Sequence, residues 1–195
     1  MKYMLADTSG KGLYVTICDE NRVPFSSVFL TLENSLSEKM LWAMDNLLSG
    51  SGLTPQDIDG YYVVKGPGSF TGIRVGVATL LGFCMAHGKQ LQGICSLDAA
   101  AIVSGSAKIT TAVRLRGKLY GYRQYDFENN VFSEYMTGKF ENTDGLFVLN
   151  SVGGNTVNLS EALLSEKFAM FVSDYAPMYM RPSEAEINFD KKCIA

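Results

Sequence analysis

The sequence is poor in histidine, and its cysteines lack the spacing of a metal or redox motif. His87 is the single histidine in 195 residues, whereas a zinc protease site or a Ser-His-Asp triad depends on suitably placed histidines. The four cysteines show no C-x-x-C spacing and each lies in an apolar segment, where a thiol behaves as a small hydrophobic group; they are Cys18, Cys84, Cys95 and Cys193. We therefore expect structural cysteines and no bound metal.

Blocks of positive charge and long uninterrupted apolar runs are also missing. With a net charge of −3 and no lysine or arginine cluster, the chain is not expected to grip nucleic acid by itself, because backbone binding needs clustered cations. The apolar run after Thr71 is interrupted by Arg74, Gly76 and Gly82, so no membrane span is predicted. The chain starts with a strand-like pattern rather than a signal peptide. These features predict a cytoplasmic protein without a membrane partner.

The remaining composition is that of a globular protein, 47% hydrophobic and 19% charged. The segments "YMLAD", "GLYVTICD" and "VPFSSVFL" predict a three-stranded antiparallel meander. A helix is predicted over residues 35–49, with Ser35 as N-cap and four apolar residues on one face; these are Leu36, Met40, Met44 and Leu47.

Two further strand and helix pairs follow, and then the pattern changes. The segment "YYVVK" predicts a strand, residues 71–87 a helix, and "QLQGI" a strand before a short helix capped by Ser96. After Gly105 the composition is of the β type, with turns near "RGK" and "ENN". A short helix is predicted at residues 159–167 and a strand at "FAMFVS". We expect an α/β fold in two parts, residues 1–105 and 106–195.

The segment "KGPGSFTG", residues 65–72, is a glycine loop between a strand and a helix. A Walker loop requires lysine after Gly72, where Ile73 stands, and both the dinucleotide fingerprint and the nucleophile elbow fail on spacing. Two interpretations stay open: backbone N–H groups that attract an anion, or glycines that allow close packing. Arg114, Arg116 and Lys118 on a later hairpin could likewise contact phosphate or form a solvated strand face.

The helix after the loop has small residues along one side and apolar bulk around much of the rest. Such a helix must be covered on both sides, either within its own chain or by another subunit. Trp42 lies about 200° around the preceding helix from Met40, on its polar side, and exposed aromatic residues often anchor interfaces. If a partner covers the small-residue side, Gly76→Arg should abolish partner binding and leave the monomer folded.

Several segments in order resemble the bacterial TsaB (YeaZ) family. They are "MLADTS", "SEKMLWAMDNLL", "KGPGSFTGIRVGVATLLGF", "GICSLDAAA", "RGKLYGY" and "APMYMRP". The resemblance implies an α/β fold of the actin-like ATPase (ribonuclease H-like) class with two lobes, the second shortened and helix-poor. It also implies a member without its own catalysis or cofactor.

The family resemblance implies partners as well. A TsaD-like catalytic homologue and a TsaE-like ATPase are expected, with a homodimer when the chain is isolated, and tRNA would be met only through the complex. The two helices at residues 35–49 and 71–87 would contact TsaD or a second copy. The implied interface residues are Met40, Trp42, Met44, Gly72, Arg74, Val75, Gly76, Thr79 and Phe83.

The hairpin "DTSGKG" resembles the phosphate-contacting hairpin of the wider superfamily. Remnants of a phosphate site are therefore expected at Asp7, Thr8, Ser9, Gly66, Gly68, Ser69 and Thr71, with "SVGGN" at 151–155 as a weak second loop. A small ATPase or phosphotransferase, and a homodimer with a separate binding role, are the alternatives. The chain departs from the family at Leu36, where histidine is usual, and at residues 113–115, where the family has Asp-Ala-Arg.

Overall fold

A computed structural model describes residues 1–31, 36–149 and 157–180. The first sheet has five strands in the order β3-β2-β1-β4-β5. Neighbours β1, β2 and β3 are antiparallel, whereas β4 and β5 continue from β1 in parallel. The predicted meander is therefore confirmed. The strands are β1 (Lys2–Asp7), β2 (Gly12–Asp19), β3 (Pro24–Thr31), β4 (Gly60–Val64) and β5 (Leu91–Ile94).

Helices cover both faces of this sheet. Two of them, α1 (Leu36–Gly50) and α2 (Phe70–Ala86), pack on the face that carries Met4 and Ala6, and α3 (Ser96–Ser104) packs on the face that carries Leu5. Because successive strand side chains point to opposite faces, β1 contributes to two separate cores. The chain has one core between the first sheet and α1 and α2, and another between that sheet, α3 and the second sheet.

The second sheet forms from the β-type segment. Its order is β10-β6-β7-β8, with β9 also paired to β7; its strands are β6 (Lys108–Arg116), β7 (Leu119–Asp126), β8 (Val131–Phe132), β9 (Met136–Lys139) and β10 (Phe147–Leu149). Left-handed backbone at Gly117 and Asn130 marks the two predicted turns. Gly105 ends α3 in the same conformation. The division into lobes at residue 105 stays a prediction.

Three local predictions were wrong. Cys95, not Ser96, is the N-cap of α3, because the Ser96 hydroxyl donates to the Pro67 carbonyl oxygen at 2.6 Å. Residues 159–167 form parts of two 3-10 helices, Leu159–Leu164 and Glu166–Met170. No strand forms at "FAMFVS", since Phe168 and Phe171, three residues apart, both enter the second core. The predicted Ser35 cap and the loop at 151–155 lie outside the described residues.

Candidate functional site

The outward side of the helix pair α1 and α2 carries large apolar side chains in solvent. Leu41 is 40% exposed, Trp42 53% and Met85 72%. The helices pack against each other and the first sheet through their other sides. Trp42 thus lies on the exposed side of α1, as its position in the sequence predicted.

The structure divides the nine predicted interface residues into three groups. Trp42 and Arg74 are exposed, and Val75, Thr79 and Phe83 are half-buried. The other four are buried within the chain itself; they are Met40, Met44, Gly72 and Gly76. The chain's own fold covers these four, which argues against direct contact with a partner, and their place in an interface stays a prediction.

The reason for this burial differs between the two helices. Met40 and Met44 are fully buried because they form the apolar face of α1 that covers the first sheet. Gly72 and Gly76 face the turn after β1, where a Cβ on Gly72 would meet the Thr8 carbonyl oxygen and a Cβ on Gly76 the Thr8 hydroxyl. The small residues of α2 therefore allow the hairpin between β1 and β2 of the same chain to approach this helix.

The same hairpin, which joins β1 to β2, also packs against the glycine loop at residues 65–72. Ser69 caps α2, since its hydroxyl accepts from the Gly72 N–H at 3.2 Å, and the Ser69 N–H donates to the Ser9 carbonyl oxygen at 2.8 Å. A Cβ on Gly68 would collide with the same Ser9 oxygen. The predicted phosphate-loop residues of the hairpin and of the loop thus come together, but protein backbone occupies the space between them. Thr71 remains exposed.

Asp7 lies at the base of this contact and is 2% exposed. Its carboxylate accepts the Ser9 N–H at 2.7 Å. Burial raises the pKa of Asp7 from its ordinary 3.8 to about 6, against the opposing effect of hydrogen bonds from Ser9. No cluster of three or more metal-ligating side chains occurs among residues 1–31, 36–149 and 157–180. Asp7 is therefore a buried turn carboxyl in this fold.

A buried ionic cluster in the second core was not predicted from the sequence. Asp98 of α3 accepts from Arg123 Nη1 at 2.7 Å and from the hydroxyls of Tyr125 and Tyr135 at 2.6 Å each. The sequence feature that points to this cluster is the single carboxylate in the apolar run "SLDAAA", because a charge buried in such a run needs partners. Burial, followed by the Asp98 charge, raises the pKa of Tyr125. The cluster joins α3 to the second sheet.

A cavity of about 70 Å³ lies between the glycine loop and the second sheet. Its lining includes Pro67, Gly68, Arg114 and Met178. The Arg114 guanidinium at its edge donates through Nε to the Gly117 carbonyl oxygen at 2.6 Å. Arg114, Arg116 and Lys118 are all exposed, as a solvated hairpin requires.

The described cysteines and His87 are packed into the fold. Cys18, Cys84 and Cys95 are buried free thiols, and burial raises their pKa values to about 11, 12 and 12, which disfavours the nucleophilic thiolate. Cys193 lies outside the described residues. His87 is the C-cap of α2, and its ring contacts Phe83 with centroids 4.6 Å apart. Within the described ranges, no helix is both long and apolar enough to cross a bilayer.

Comparisons with known proteins match the elements just described. The model of the TsaD family, tRNA N6-adenosine threonylcarbamoyltransferase, matches residues 32–115. The TsaB protein of Bacillus subtilis, named for tRNA threonylcarbamoyladenosine biosynthesis, is 29% identical over 101 residues. TsaB of Escherichia coli is 23% identical over 137 residues. The matches cover 52% and 68% of this chain but only 44% and 58% of those two proteins.

Solved structures agree over a greater length. YeaZ from Pseudomonas aeruginosa superposes with a TM-score of 0.72 at 16% identity, covering 92% of this chain and 99% of that one. A second structure, described as similar to the peptidase YeaZ of the same organism, gives 0.73 at 17% identity. In sequence and in fold the chain is similar to the TsaB (YeaZ) family. The fold is that of YeaZ, and it is α/β as expected, with two sheets.

Two departures from the TsaB pattern have packing explanations. Leu36, at the usual histidine position, packs against the first core at the start of α1. Val113, at the usual aspartate position, is 3% exposed in the second core. At both positions an apolar side chain therefore packs against a core.

Proposed function

We propose that this chain is a non-catalytic scaffold subunit in tRNA threonylcarbamoyladenosine biosynthesis, and that it docks a TsaD-like catalytic homologue through α1 and α2. A TsaE-like ATPase would join this complex, and tRNA would be met only through it. The first lobe, residues 1–105, would carry the docking surface. A cytoplasmic location fits a role in tRNA modification.

The observation that supports docking best is the exposure of large apolar side chains on α1 and α2. Trp42 and Met85 are 53% and 72% exposed, although each would contribute favourable free energy if covered. Large aromatic residues at the centre of an interface commonly contribute about 2 kcal/mol or more to binding. The similarity to TsaB and the match to the TsaD family model make a TsaD-like protein the first partner to test.

The packing of the glycine loop supports the non-catalytic part of the proposal. A nucleotide phosphate would need backbone N–H groups of the loop, but the Ser69 N–H already donates to the Ser9 carbonyl oxygen and the Gly72 N–H to the Ser69 hydroxyl. The alternative, a small ATPase or phosphotransferase using Asp7, would first require this hairpin to leave the loop. Titration of ATP and magnesium into the chain tests that alternative directly.

Light-scattering mass measurements on the chain alone and mixed with a TsaD-like protein of the same organism test the proposal. A one-to-one complex is expected, and Trp42→Ala should weaken its affinity roughly thirtyfold. Phe25→Ala is the matched control, because Phe25 is 49% exposed but lies on the edge strand β3. Circular dichroism melting should show both variants folded.

Each outcome of this experiment has a distinct meaning. In one outcome the chain alone has the mass of two copies, and adding TsaD converts that species to the heterocomplex. This result would indicate that the homodimer uses the same face. Unchanged masses with TsaD, TsaE-like protein and nucleotide all present would contradict the scaffold proposal. Equal losses for Trp42→Ala and Phe25→Ala would contradict the assignment of the surface.

A further inference from the structure

The chain segment at residues 173–180, here called the strap, crosses from the first sheet to the second. At its start, Ser173 pairs with Gly93 of β5 through two backbone hydrogen bonds of 2.9 Å. The Asp174 carboxylate lies 3.5 Å from Lys65 Nζ. The beginning of the strap is thus held at the edge of the first sheet.

The middle of the strap lies over the glycine loop and the start of α2. The Met178 N–H donates to the Lys65 carbonyl oxygen at 2.8 Å. The Tyr179 ring stacks on Phe70, with centroids 4.5 Å apart and planes 1° from parallel. Arg74 Nε donates to the Tyr179 hydroxyl at 3.0 Å. These contacts attach the strap to the first turns of α2.

The end of the strap contacts the second sheet. Met180 packs against the second core, and its Sδ lies 2.5 Å from where a Cβ on Gly121 of β7 would be. Met178 joins the same core. Eight consecutive residues therefore contact β5, the glycine loop, α2 and β7.

Three glycines make room for these contacts. A Cβ on Gly93 would lie 2.6 Å from the Asp174 carbonyl oxygen, and a Cβ on Gly66 would lie 2.7 Å from the Met178 carbonyl oxygen. A Cβ on Gly121 would likewise lie too close to Met180. Each glycine belongs to a different element, and any larger residue would push against the strap.

We propose that the strap couples the first turns of α2 to the second sheet, so that a displacement at either place is transmitted to the other. The physical basis is one packed and hydrogen-bonded segment with an anchor at each place. Arg74 belongs to the face for which docking is proposed above, but the coupling is a property of the chain alone. It holds or fails whether or not a TsaD-like protein binds.

Amide hydrogen exchange of the full chain, followed by mass spectrometry, tests the coupling. Tyr179→Ala removes the ring stack and the bond from Arg74, and should speed exchange about tenfold both at the Met178 amide and in residues 119–122 of β7. Tyr175→Ala is the matched control, since Tyr175 and Tyr179 are each 38% exposed on the same segment. The control should leave β7 unchanged.

The reverse perturbation starts from the second sheet. Gly121→Ala should displace Met180 and speed exchange in residues 70–74 of α2. Acceleration confined to residues 178–180 in Tyr179→Ala, or to β7 in Gly121→Ala, would overturn the proposal. Should Tyr179→Ala unfold, Tyr179→Phe keeps the stack and removes only the bond from Arg74; a β7 response smaller than tenfold but above the control is then expected, and no response would overturn the coupling.

Discussion

Burial of the Asp7 carboxyl should make the contribution of this group to the stability of the protein fall as the pH rises from about 4 to 7. Asp7 is 2% exposed, and its pKa is raised from 3.8 to about 6 by burial. Below pH 3.8 the group is protonated in both the folded and the unfolded chain, so it carries no penalty. As the pH rises, the unfolded chain releases the proton first, and folding becomes less favourable until the pH passes about 6.

The magnitude follows from the size of the shift. About two pKa units correspond to about 3 kcal/mol of unfolding free energy, fully lost above pH 7. Asp7→Asn removes the charge and keeps an oxygen that can accept the Ser9 N–H. We expect the variant to be more stable than the wild type at pH 7.5 by up to about 3 kcal/mol, less any cost of the new amide N–H₂ group.

Urea unfolding between pH 4 and 8, followed by circular dichroism, measures this difference. The advantage of Asp7→Asn should shrink as the pH approaches 4. Asp126→Asn serves as a control with the opposite effect on stability. Hydrogen bonds from Asn129 and the ion pair with Lys108 lower the pKa of Asp126 to about 2, so that its charged form favours the folded chain. An Asp7→Asn variant no more stable than the wild type at pH 7.5, with a difference independent of pH, would refute the reasoning.

Two further predictions concern the packing of the helices. Gly76→Ala should cost about 1–3 kcal/mol in urea unfolding, because its Cβ would meet the Thr8 hydroxyl; Gly82→Ala, with open space around its Cβ, should instead stabilise α2 by about 0.5–1 kcal/mol. Asp98→Ala should cost about 3–5 kcal/mol in the same assay by leaving Arg123 buried without its carboxylate, whereas Lys108→Ala, in an exposed pair, should change stability far less.

Periodicity predicted the helices and strands of the first sheet because each is determined by local spacing. The apolar positions of α1 at intervals of three and four residues are the residues that cover the sheet, and the alternation in β1 places its side chains in two cores. The strap and the Asp98 cluster could not be predicted in this way. Their contacts join residues such as Gly93 and Ser173, which lie far apart in the sequence and have no shared pattern.

The interface prediction has least support at the side chains that the chain itself buries. The resemblance indicates which elements meet a partner, but the face of each element is decided by what the chain itself buries. Met40 already belonged to the apolar face of α1 that periodicity assigns to the core. That periodicity favours Trp42 over Met40 as a residue that a partner can reach.

For the glycine loop, sequence alone could not choose between an anion site and close packing. Both require glycine, because both bring backbone near to another group. The choice depends on which group is near, and here it is the chain itself: Ser9 at Gly68, Thr8 at Gly72 and Gly76, and Met178 at Gly66. A loop that resembles a phosphate site thus holds together the hairpin, α2 and the strap, and Gly76→Arg, expected from sequence to leave the fold intact, should instead disrupt it.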